Sequence, residues 1–222
     1  MDLGAIEELR ALDERDRELG AQAARIAEQR REVAAVRARA EAIDAFFAAY
    51  PASEERLRRV AATAETDLAA RRAEVTNAEA ALAQARDVDA RAAAEKAVAR
   101  ANDHLEVAQL RVERAVADRD ALEREALMLP GELPDLAARA AALGGEVETG
   151  PRELVEWAAR ADASLFVAAG QVDLQRERII REANELASML LGEPTYGSTP
   201  PQALARVERY WRSSPGQVSE SR

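Results

Sequence analysis

The chain has 222 residues, no cysteine and a formal net charge of −10, with charged residues at 32% and aromatics at 4%. These figures exclude a disulfide framework, thiolate catalysis and cysteine-bound zinc, and the acidic balance argues against nucleic acid or anionic lipid as a broad electrostatic partner. Abundant Ala, Glu, Arg and Leu at helical spacing predict an all-α protein, an elongated antiparallel coiled-coil hairpin with a returning C-terminal helix.

The opening MDLGAIEELRALDER is acidic and helix-like, without the basic start and apolar run of a signal peptide. The most apolar stretch, ASLFVAAG, is far short of a membrane span. The expected location is the cytoplasm, with no membrane partner. Arginine almost to the exclusion of lysine, with Lys96 alone, suggests a GC-rich bacterial genome.

Leu12, Leu19, Ile26, Val33, Ala40 and Phe47 recur at seven-residue spacing, accompanied by Val36, Ile43 and Tyr50. That period marks an apolar seam on a helix and predicts helix one over 3–49. Pro51 disfavours helical geometry at Tyr50 and removes an amide donor, and Ser53 is placed to cap a new helix with Glu54 and Glu55 in its first turn. The expectation is therefore a helical hairpin turning at Pro51.

From Ala52 to Leu129 there is neither glycine nor proline, so one long second helix is expected. Its early seam runs through Ala61, Leu68, Val75 and Leu82 with Leu57, Ala64, Ala78 and Ala85. Its later seam uses Ala94, Ala101, Ala108, Ala115, Leu122 and Leu129 with Val98, Leu105 and Val112. The two sets differ in heptad phase, and the break falls near 86–96. With the reversal at Pro51, residue 3 would face roughly residue 100, and the phase change would mark where helix one runs out.

Pro130, Pro134, Pro151 and nearby glycines mark a linker at 130–150 with a short helix over 134–143 ended by Gly144. A helix starting at Pro151 carries Ala158, Leu165, Val172, Ile179 and Leu186 at seven-residue spacing, flanked by Leu154, Ala161, Ala168 and Met189, and ends near Leu191–Gly192. It is expected to cover about 90–129 of the long helix. Thr199 is placed to cap a last helix from Pro200–Pro201 to about Trp211. The organisation expected is a hairpin at 1–129, a linker at 130–150, C-terminal helices at 151–212 packing back on the long helix, and a flexible tail at 213–222.

His104 is the only histidine and lies beside a seam residue, on the flank of the pairing rather than in a metal site. Carboxylates alternate with arginines at three- and four-residue steps, as on a solvated helix surface. No glycine-rich phosphate loop, nucleophile elbow or zinc-protease motif occurs, so no enzyme activity and no cofactor are expected. Trp157 and Phe166 share a broad face, with core packing against the linker helix expected for both.

The aromatic trio at the expected hairpin tip divides. Phe47 and Tyr50 sit on seam lines as a plug, while Phe46 with Arg56, Arg58 and Arg59 has the composition of a protein-contact surface. Tyr196, Tyr210 and Trp211 form a second group that either covers the end of the bundle or docks a partner. Together these features predict a non-catalytic scaffold or adaptor that binds protein partners and, through unburied flank, further copies of itself. The alternative is a nucleic-acid-associated protein using the arginines of tip and rod.

Overall fold

The structure, a computed structural model, describes residues 3–213. Those residues form four helices and no strand: α1 (Leu3–Gln84), α2 (Val88–Ala142), α3 (Pro151–Leu191) and α4 (Pro200–Ser213). They divide into two compact units, one whose described residues span 3–38, 139–147 and 153–213, the other spanning 39–138 and 148–152. The part of the predicted tail from 214 onward lies outside the described residues.

In the second unit, α1 runs straight through the position where a reversal was expected, with Pro51 inside the helix. The reason lies in the seam. Val36, Ile43, Tyr50, Leu57 and Ala64 are spaced by sevens across the proline, and each is buried or half-buried. A helix that continues keeps such a phase; two helices joined by a turn have no need to. Pro51 itself is exposed, so its ring and the carbonyl it leaves without a donor face away from the packed side. Glu54 and Glu55 do not cap a new helix. They pair with Arg58 at 3.5 and 3.4 Å, and Glu55 pairs with Arg59 at 2.8 Å, within the same helix.

The reversal is at 85–87, at the leading edge of the segment where the phase breaks. The Ala85 amide closes the last turn of α1 onto the Leu82 carbonyl at 3.3 Å. The Asp87 carboxylate then accepts the Ala90 amide at 2.7 Å and caps α2, with Asp89 in its first turn. Beyond it α2 returns antiparallel: His104 meets Glu74, Arg111 meets Asp67, and Glu132 meets Arg39. Ala94, Ala101, Ala108 and Ala115 are all buried at the seam, as spacing predicts, and residue 104 faces 74 rather than the start of the chain. Pro130 and Pro134 do not end the helix either. They are four apart on one exposed face, while Leu129 and Leu136 keep the seven-residue seam buried beneath them. The short helix expected over 134–143 is thus the last part of α2.

In the first unit, α2 ends in a double backbone bond. The Gly145 amide donates to the Ala140 carbonyl and the Gly144 amide to the Ala141 carbonyl, both at 3.0 Å, with Gly144 at φ 85°. This is the left-handed helix stop expected at Gly144. Gly145 lies directly against the indole of Trp157, which is buried; any Cβ there would overlap the ring. The indole therefore packs on the segment that follows α2, whereas Phe166, expected in the core with it, is exposed and carries the Arg30 guanidinium over its ring at 5.6 Å.

α3 begins at Pro151 and ends at Leu191, as its proline and glycine signals predict, with Gly192 at φ 70°. Its partner is not the 90–129 stretch. Val172 and Ile179 pack with Leu19 and Ile26 of α1, and Arg176 grips Asp16 at 2.9 and 3.4 Å. Because α1 reverses only at 85–87, the segment around Leu19 and Ile26 remains for α3 to cover. α4 closes the unit: Ala203 and Val207 join Leu9, Ala183, Leu186 and Ala187 in a buried cluster.

Candidate protein-docking surfaces

The seven residues singled out in the sequence fall in three places. Phe46 is half-buried in the middle of α1, edge-on to Phe47 with ring centres 5.4 Å apart and tilted on Tyr50 at 5.9 Å. The plug and tip readings both lapse, because no hairpin end lies here. The inward choice is also reversed: Phe46 is the half-buried ring and Phe47 is exposed. Residues 46 and 50 are one turn apart and share the face that packs, whereas 47 is rotated about 100° from 46.

Arg56 is exposed, Arg58 is held by Glu54 and Glu55, and Arg59 is held by Glu55. Of this trio Arg59 lines a groove of about 680 Å³ between α1 and α2. Ala64 and Ala115 form the deep part of the groove, and Val60, half exposed, forms its lip. The rim carries Arg59, Arg111 and Arg114 with Asp67 and Asp118. Asp67 is already bound by Arg71 at 3.2 Å and Arg111 at 3.1 Å. The sequence signal for the groove is alanine at seam positions of both helices. Small side chains leave a hollow between two backbones, but only pairing in the correct register places Ala64 and Ala115 in the same one.

In the other unit, Tyr196 is the most exposed large hydrophobic side chain of the described residues, at 85%, followed on its surface by Met189. Both border an apolar depression of about 480 Å³ that also includes Ile180 and Gly197. The loop that presents Tyr196 is held from below. The Asn184 amide group donates to the Ser198 carbonyl at 2.8 Å and accepts the Ser198 amide at 3.2 Å, and the Ser188 hydroxyl accepts the Thr195 amide at 2.8 Å. Gln202 reaches back to the Thr199 amide at 3.0 Å and so fixes the start of α4. Trp211 packs on the Leu9 cluster and Tyr210 stands edge-on to it at 5.9 Å, half exposed. Met189, expected on the flank of the α3 seam, points outward.

The remaining chemistry is that of a helix surface. His104 lies on the flank of α2, its Nδ1 3.4 Å from a Glu74 oxygen. The Glu74 carboxyl has its pKa held below the ordinary carboxylate range by hydrogen bonds from Arg71 first and His104 second. Glu132 is lowered in the same way by Arg39, and Glu32 by Arg139. Among the described residues no group of three or more His, Asp or Glu side chains is arranged to hold a metal, and no helix is long and apolar enough to cross a membrane. No protein-family model, curated protein or solved structure matches the chain.

Proposed function

We propose that the chain is a non-catalytic scaffold or adaptor of the bacterial cytoplasm, built on an antiparallel coiled-coil hairpin reversing at 85–87. Its groove between α1 and α2 takes up an amphipathic helix of a protein partner. The observation that carries this reading is the groove itself, with an alanine floor, an exposed valine lip and a rim bearing both signs of charge. A helix laid into such a groove buries apolar side chains against Val60 and Ala64 and meets a rim of guanidinium and carboxylate groups, the usual mode of helix-in-groove recognition. The rod arginines give less support to the nucleic-acid alternative, because Arg58, Arg59, Arg71 and Arg111 are paired with carboxylates of the chain.

The test uses Val60→Arg, at an exposed position where the fold tolerates a long polar side chain, and Val107→Arg, on exposed α2 surface outside the groove lining. Proteins cross-linked to the chain in its native cells are compared by quantitative mass spectrometry. Partners lost with the first variant and kept with the second support the groove; identical partner sets overturn it.

A further inference from the structure

The outward face of α3 has a pattern that the fold of a single chain does not use. Glu156, Arg160, Ala163, Val167, Gly170, Leu174, Glu177 and Arg181 follow one another in steps of three and four, so they form one stripe of the helix, and all are exposed. Val167 is 59% exposed and Leu174 66%. Several other charges on α3 are engaged within the chain: Asp162 with Arg30, Arg176 with Asp16, and Arg178 with Glu182. None of those pairs involves the four charges of the stripe.

The charges of the stripe change sign when it is read in reverse about its midpoint. Glu156 and Arg160 precede the apolar centre, and Glu177 and Arg181 follow it at matching distances. Two copies of α3 laid antiparallel about the point between Ala168 and Ala169 set Glu156 against Arg181 and Arg160 against Glu177, each twice. The same operation sets Leu174 over Ala163 and Val167 over Gly170, large side chain against small. A parallel pairing in register would instead put glutamate on glutamate and arginine on arginine. Gly170 adds an independent mark. It weakens the helix by about 1 kcal/mol relative to alanine, and a Cβ there would meet nothing within 4 Å in the chain. Its own fold does not require a glycine, whereas close approach of a second helix does.

We infer that the chain forms a two-fold antiparallel homodimer through this face of α3. An isologous contact of this kind must be self-complementary in both charge and size, and the stripe meets both conditions. The dimer does not depend on the groove reading, since it uses different residues and needs no other protein.

Sedimentation velocity on the full chain at low salt and rising concentration should show the mass of two chains. Glu156→Arg, which sets arginine against Arg181 at both ends of the dimer contact, should weaken association about tenfold or more, and adding Arg181→Glu should restore it. Orientation is read with two further variants, Ala163→Cys and Leu174→Cys, in a chain that otherwise has no cysteine. On oxidation of an equal mixture, disulfides between unlike chains should exceed those between like chains. A chain that stays monomeric at every concentration, a double variant as weak as the single one, or a predominance of like-chain disulfides would each overturn the dimer.

Discussion

Pro51 takes one amide out of the middle of α1, yet the seam steps past it without losing phase. A helix-interior proline costs about 3 kcal/mol relative to alanine, so Pro51→Ala should stabilise the chain, by up to that amount, and raise the thermal midpoint followed by circular dichroism. A proline at a turn would give no such gain. Gly145 is the opposite case. A methyl group there collides with the Trp157 indole, so Gly145→Ala should destabilise by about 1–3 kcal/mol, the usual cost of overpacking, read by chemical denaturation. At this scale the sequence was legible where one residue's conformation decided the matter, as at Gly144 and Gly192. It misled where a local preference met a longer pattern: Pro51 alone argues for a break, but Tyr50 and Leu57 in phase argue for continuity, and the seam contributes more than one missing hydrogen bond.

Among the elements, the reversal at 85–87 has neither glycine nor proline, and its only strong local signal is Asp87. Asp87→Ala should cost about 1 kcal/mol through the lost cap and should speed hydrogen exchange at the Ala90 amide more than at amides in the middle of α2. The phase change near 86–96 was visible in the sequence, and it marked this turn rather than the place where the chain's start faces a returning helix. Pro130 and Pro134 repeat the lesson of Pro51, with Leu129 and Leu136 carrying the seam across. α3 and α4 were legible almost to the residue because each start and stop has its own chemistry: Pro151, Gly192, and Thr199 with Gln202. The candidate groove was not. Arg59 was singled out as part of a tip, and only the pairing of α1 with α2 puts it beside Ala64, Ala115 and Arg114.

For the whole molecule, glutamates held by arginine set the acid response. Glu32, Glu74 and Glu132 have pKa values lowered from an ordinary value near 4.5. Their contribution is present above that value and is lost as pH falls through the lowered ones. Thermal midpoints should therefore decline on the acid side of 4.5, after any gain from relieving the net charge of −10. Glu132→Gln should lower the midpoint at neutral pH and make the acid-side decline shallower, and salt should diminish both effects because these pairs are exposed. The sequence by itself determined the all-helical class, which faces of the helices are apolar, and where α3 and α4 begin and end. These depend on spacing and capping, which act over a few residues. Tertiary structure alone decided which helix covers which face: α2 pairs with Asp67 and Glu74, and α3 with Asp16, Leu19 and Ile26. A seven-residue repeat makes every seam a fit for every other, and choosing among them takes the position of one reversal, the register it imposes and the ion pairs that then meet.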